Sequence, residues 1–510
     1  MNIISQKNFF RLLVLFLSVL LFSPMVSMFW GTLKVEQGIS WSLYDELFNQ
    51  NLWYSFWNSL KLALFVGVSS TIIGTLLGIL LAKTNVPFRS AFLALFVTPL
   101  LIPPYIFAYA WFELLGREGF LGELLFGFWG TAFVLFWVYL PIPLLLSRLF
   151  LLQIDPKLEE SALLISGWGR VLRWVTLPLI RPAMSFSFLL VFILSFGEFS
   201  VANFFHYNIL PMESFTYFSA FYDFEMATVT AMPMVFMALA ILWIQRYLPK
   251  NSLRFHQACY ITMIELKRAK LPFVGLLFGL VIFVLLPLIS LVLKSNLAGF
   301  LIALNNGITP LFRSLFYASI GATLLMFFGF LTAYLLEEKV SFHSKKIDGL
   351  LLFLFMLPST IIGIGLILFW NSSWGSLVYG TPLIIFLGYL GKYLFLTTKI
   401  AQVRLSQIPR TMVESAQLLG ASWWQVLGMI LVPLSRESLV GIWLIGFIFS
   451  LRETTITMLV YPAGSDTLPL YILTQMANGD PAVVASLCLM MVGAILLPLI
   501  GYFLWRIKRV

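Results

Sequence analysis

Residues 155–178 read DPKLEESALLISGWGRVLRWVTLP, and residues 409–433 read PRTMVESAQLLGASWWQVLGMILVP. A proline opens each stretch, Pro156 or Pro409, and suits a first helical turn, where its missing N–H costs nothing. Asp155 stands where a cap of the first helix is expected. Glu160 and Glu414 follow close behind, complementing the positive end of each helix dipole. Small residues then break the pattern: Ser161, Ala162, Ser166 and Gly167 in one copy, Ser415, Ala416, Gly420, Ala421 and Ser422 in the other. A second amphipathic stretch (Val171, Leu172, Trp174, Val175; Val426, Leu427, Ile430) runs to Pro178 or Pro433, expected to terminate it. The expectation is a short helix–turn–helix along a membrane face. Small residues at its bend admit another protein's backbone, and the glutamate offers a charged anchor, an arrangement suited to transmitting a rigid-body push. An ordinary interfacial loop is the plainer alternative, and a second copy of the same arrangement counts against it.

Other anchors recur at an offset of about 255 residues. Ser59-Leu60 returns as Ser314-Leu315, Pro104 as Pro358, Pro178 as Pro433 and Glu198 as Glu453. Between them lie twelve apolar stretches, at about 9–30, 58–82, 91–115, 126–147, 183–205, 227–247, 272–294, 314–336, 348–370, 379–398, 439–461 and 483–505. Each is near the roughly 20 residues that cross a hydrocarbon core, and helices are required because open strands leave backbone groups unpaired in lipid. Six helices followed by six in the same sense make a parallel repeat. The predicted organisation is all-α: residues 1–250, a linker at 251–271 and residues 272–510.

Composition agrees. The 510 residues are 60% hydrophobic, 16% aromatic and 11% charged, against about 25% charged in soluble domains. The net charge of +10 is distributed as a membrane protein's, not a nucleic-acid binder's. With the N-terminus inside, only Lys34, Lys61, Arg117, Lys294 and Arg313 fall on the outer side, and Lys392 and Arg452 fall within spans. The remaining basic residues lie at cytoplasmic ends and loops, which places both termini in the cytoplasm. The first apolar run, after Lys7 and Arg11, is long enough to be a retained span and not a cleaved signal. Cys259 and Cys488 make no disulfide framework, and His206, His256 and His343 make no ligand set.

The paired loops resemble the EAA loop of permeases of ATP-binding-cassette importers: Glu-Ala-Ala, three residues, Gly, then a later Leu-Pro. The second copy fits as Glu414, Ser415, Ala416, Gly420 and Val432-Pro433. The first departs, with Glu160-Ser161-Ala162 followed by Ser166, Gly167 one position late, and one residue fewer to Pro178. The resemblance implies the type I importer permease fold, with coupling helices that dock on two copies of a cytoplasmic ATPase. It also implies an extracytoplasmic substrate-binding protein and a place in the bacterial cytoplasmic (inner) membrane. Within that family the chain is similar to the fused ferric-iron permeases. The stretches concerned are Pro103-Pro104-Tyr105 through Ala110-Trp111, Gly197-Glu198-Phe199, and Arg452-Glu453-Thr454 to Asp466-Thr467-Leu468. Thiamine, phosphonate and polyamine permeases are near relatives.

Gly-x-x-x-x-Gly-Lys-Ser/Thr is missing from the sequence, so ATP hydrolysis is expected on a separate subunit, and no catalytic residue, metal ligand or cofactor is assigned. An ion-coupled secondary transporter is the alternative class. Its Asp-Arg-containing loop between spans two and three is not matched, since only Lys83 to Arg89 lies there. No constellation for a polytopic membrane enzyme stands out. Glu198 and Glu453 are the candidate pathway residues: a charge at mid-membrane is costly unless it meets a partner or water. Two such groups suit a cation. The alternative is structural, with Glu453 paired to Arg452 or Lys392 and Glu198 near the outer surface beside Asn203.

Overall fold

A computed structural model describes residues 2–35, 38–39, 45, 50–116, 120–245, 262–337 and 344–507. Residues 251–261 of the expected linker, with His256 and Cys259, lie outside the described residues, as do Pro249, Lys250, Arg117 and His343. Among the described residues regular structure is helical, apart from the pairing of Lys34–Val35 with Gly38–Ile39 and a single bridge between Thr84 and Ile264.

Ten helical runs among the described residues are long and apolar enough to cross a membrane. Two further pairs qualify only together: Arg89–Leu101 with Pro104–Leu115, bent by 102°, and Lys346–Met356 with Ser359–Trp370, bent by 105°. The third and ninth spans, expected as plain helices, are therefore broken. The cause is proline, which lacks an N–H and disfavours helical backbone in the residue before it. Ile102 is extended (φ −82°, ψ 139°). Pro103 (φ −54°, ψ 134°) and Pro358 (φ −56°, ψ 146°) each open the second half of their pair. By position, then, Pro358 corresponds to Pro103 and not to Pro104, and this anchor keeps the 255-residue offset of Ser59/Ser314, Pro178/Pro433 and Glu198/Glu453.

Packing divides the chain into two compact units. One holds residues 54–212 and 243–296; the other holds 1–53, 213–242 and 297–510. These are not contiguous blocks of sequence. In the first unit Lys270–Lys294, the opening helix of the second repeat, packs on Pro104–Leu115 and Arg89–Leu101. In the second unit Asn2–Leu33 packs on Ser359–Trp370, so closely that a Cβ on Gly365 would lie 2.5 Å from Met25 Cε.

Within each unit small residues let helices approach. A Cβ on Gly74 would meet Pro143 at 2.6 Å, and one on Gly329, 255 positions later, would meet Thr397 at 2.6 Å. Such close backbone approach replaces the hydrophobic drive that lipid removes. Ser59 and Ser314 act alike too: their hydroxyls accept the backbone N–H of Leu210 at 2.8 Å and of Leu468 at 2.7 Å. The second repeat's long helix, Leu297–Glu337, has 41 residues. At about 1.5 Å per residue it is roughly 60 Å long, about twice the hydrocarbon core, and exceeds the expected span 314–336 at its N-terminal end.

Candidate functional site

Each loop forms the expected helical pair. The first helices are Pro156–Leu163 and Arg410–Leu418. Asp155 caps the former, its side chain accepting the Lys157 N–H at 3.0 Å. Glu160, Ser161, Glu414 and Ser415 are exposed, while Ala162 and Ala416 are half-buried. The bends differ. Gly420 takes left-handed backbone (φ 86°), and Ser422 with Gln425 closes a reciprocal capping box on the next helix. Gly167 is extended (φ −82°) and caps nothing through a side chain. The second bend thus requires its glycine, whereas the first does not.

At the tip of each first helix stand two bare apolar side chains, Leu164 and Ile165 (87% exposed each) and Leu418 and Leu419 (89% and 90%). Leu158 with Met412, and Trp174 with Met429, extend the match. Sequence reading passed over these residues because apolar character is unremarkable in so apolar a chain. Their matched placement outside the spans was the available signal.

Pro178 and Pro433 do not terminate the helices, as was expected. They lie within continuous helical runs, Trp168–Phe196 and Trp423–Arg452. Just before each proline the helix widens: Leu172–Thr176 and Val426–Leu431 are π-helical, with Leu177 N–H bonded to Leu172 O and Val432 N–H to Leu427 O. Proline supplies no N–H to the carbonyl four residues earlier and its ring crowds that carbonyl. An i→i+5 pattern keeps the helix running past the gap.

Beside Glu160, a second glutamate was overlooked. Glu159 is fully buried and accepts Lys83 Nζ at 2.6 Å and Thr176 Oγ1 at 2.8 Å. Aligned on the shared Glu-Ser-Ala, Val413 occupies its place in the second loop and is likewise buried.

The membrane carboxylates lie at helix ends and not inside the fifth and eleventh spans. The helix Leu177–Phe196 stops before Gly197, and Val432–Arg452 stops before Glu453. Each carboxylate then anchors the short helix beyond it. Glu198 accepts the Ser200 N–H at 3.1 Å and the Ser200 hydroxyl. Glu453 accepts the Ile456 N–H at 3.1 Å. The opposite oxygen of each takes a tyrosine hydroxyl: Tyr139 donates to Glu198 at 3.0 Å, and Tyr393 donates to Glu453. Ser359, the first residue after the ninth-span break, also donates to Glu453 at 3.3 Å. Lys392 donates from its ammonium to the carbonyls of Phe355 (3.2 Å) and Leu357 (2.6 Å), at the break of the ninth span. Neither tyrosine was picked out from sequence. Among the described residues no group of three or more His, Cys, Asp or Glu is placed to hold a metal ion.

Broken spans, paired loops and latched carboxylates, each present twice, define a duplicated multi-pass membrane permease. The family of binding-protein-dependent transport system inner membrane components matches residues 74–252 and again 326–508, and the chain belongs to that family. It is similar to a putative ferric transport system permease protein, FbpB 1, of Haemophilus influenzae, 26% identical over 454 residues that cover 80% of this chain and 70% of that one. A ferric transport system permease protein, FbpB, of Actinobacillus pleuropneumoniae is 25% identical over 488 residues, covering 88% and 70%. The molybdenum transport system permease protein ModB of Escherichia coli is 32% identical over 180 residues, covering 33% of this chain and 78% of its own.

Proposed function

We propose that this chain is the permease of an ATP-driven importer that carries ferric iron, delivered by an extracytoplasmic binding protein, into the cytoplasm. Both termini are cytoplasmic, and one copy of the chain assembles with two ATPase subunits, because the repeat supplies two docking loops. The observation that carries the docking role is the pair of bare apolar tips, Leu164-Ile165 and Leu418-Leu419, each beside an exposed glutamate. Exposed apolar patches of this kind mark protein contacts, and repetition in register favours two copies of one partner.

Iron as cargo is supported by the relatives that cover most of the chain and by Glu198 and Glu453. Carboxylates at matching positions suit a cation and would repel an oxyanion. Three experiments test the reading. Aspartate in place of Leu164, Ile165, Leu418 and Leu419 together should abolish co-purification of the co-expressed ATPase while the chain still inserts; retained ATPase would sink the docking role. Native mass measurement should give one copy of this chain per ATPase pair, and the partner binding protein should carry ferric iron.

A further inference from the structure

Among the described residues, the seat beneath the first loop has no counterpart beneath the second. Glu159 sits on the buried face of Pro156–Leu163 and binds both Lys83, the last residue of Gln50–Lys83, and Thr176, the last residue of the π segment. One carboxylate therefore ties the loop to two spans. The chain leaving the linker adds to the tie: Ile264 N–H donates to Lys83 O at 2.7 Å and Asn85 N–H to Ile264 O at 3.4 Å. Thr262 Oγ1 reaches Pro156 O at 3.5 Å. Under the second loop the positions of Glu159 and Thr176 are filled by Val413 and Leu431, both buried. Among the described residues it has an ion pair of Arg410 with Glu337, 3.6 Å apart and 69% and 28% exposed.

These seats respond differently to force. Short hydrogen bonds to a buried charge are directional and little screened, so displacing the first loop drags both spans with it. Apolar contact is non-directional, and packed helices slide over one another by small shear motions. An exposed ion pair yields to salt.

We propose that the two loops are mechanically unequal: Lys83, Glu159 and Thr176 are positioning residues that make the first loop and its spans move as one body, while the second loop slides on an apolar seat. The functional consequence rests on the docking reading above; the mechanical claim does not. Hydrogen exchange on the full chain in lipid nanodiscs, without ATPase, tests the claim. Amides of 157–163 should exchange about tenfold more slowly than those of 410–418. Salt at about 1 M, where the Debye length is roughly 3 Å, should speed only the second set. Glu159→Gln should erase the contrast. Because that variant risks misfolding, Lys83→Met/Glu159→Val/Thr176→Leu gives the first seat the apolar character of Val413 and Leu431 without leaving a lone buried charge. It should fold and exchange like 410–418. In proteoliposomes supplied with ferric iron and the ATPase, it should bind ATPase normally yet move several-fold less iron per ATP. Equal exchange in the unmodified chain, a uniform salt response, or unchanged exchange in the triple variant would overturn the mechanical claim. Normal iron per ATP in that variant would overturn its role in transmission. If the docking reading alone fails, the loop-tip variants keep their ATPase while the exchange contrast persists.

Discussion

Tyr139 Oη stands 3.0 Å from a carboxylate oxygen of Glu198, and in the second repeat Tyr393 holds Glu453 in the same way. Each glutamate is thus shared between a tyrosine on a neighbouring helix and backbone N–H beyond its own helix end. A charge-assisted hydrogen bond is worth about 1.5–3 kcal/mol. Tyr393→Phe keeps the ring and removes the bond, so it should lower ferric uptake while leaving assembly with the ATPase intact. Tyr139→Phe should act in the same direction but more weakly, because Glu198 is less buried than Glu453 (7% exposed). Equal, normal uptake in both variants would show that the tyrosines only fill space.

Glu198→Gln and Glu453→Gln ask a different question. Glutamine retains one acceptor for the backbone N–H beyond it but carries no charge. If the carboxylates serve cation passage, both variants should cut uptake severalfold with basal ATP hydrolysis preserved. If they serve only as helix latches, uptake should survive, and the loss should appear as a lower unfolding temperature. Measuring uptake and thermal stability on the same preparations separates the two roles.

The loop glycines provide a local test. Gly420→Ala forces a side chain into left-handed backbone (φ 86°), at a cost of about 1–2 kcal/mol. Gly167→Ala meets ordinary extended backbone and open space, so it should be close to neutral. ATPase co-purification at graded salt should therefore weaken for the first variant and not for the second.

Sequence reading reached the twelve-span plan and the repeat because apolar length and register are one-dimensional properties. It reached the paired loops through proline, glycine and glutamate spacing. The breaks at Pro103 and Pro358 escaped it because hydropathy integrates over a span and registers no bend. Glu159 escaped because two adjacent glutamates look equivalent in sequence; only the helix face decides that one is buried against Lys83 and Thr176 while Glu160 lies on the exposed side. Tyr139 and Tyr393 lie about 60 residues from their glutamates, a separation that only the folded chain closes. The exchange of opening helices, Asn2–Leu33 and Lys270–Lys294, is likewise a fact of packing that contiguous repeats conceal.

The π turns before Pro178 and Pro433 carry the last prediction. A π turn fits an extra residue into the helix, and so rotates the N-terminal part by about 100° relative to the C-terminal part. The rotation sets the direction in which each loop faces, and the proline maintains it by withholding an N–H. Pro433→Ala supplies the N–H that proline cannot offer to Met429 O and lets the segment relax to α-helix. Proline within a helix costs about 3 kcal/mol relative to alanine, so the variant should unfold at the same temperature or higher. Ferric uptake should nonetheless fall, because Leu418 and Leu419 would be turned from the ATPase surface we propose they meet. Increased stability with reduced uptake is the signature expected of a proline retained for geometry. A variant that gains stability and transports normally would show that the π turn merely accommodates the ring.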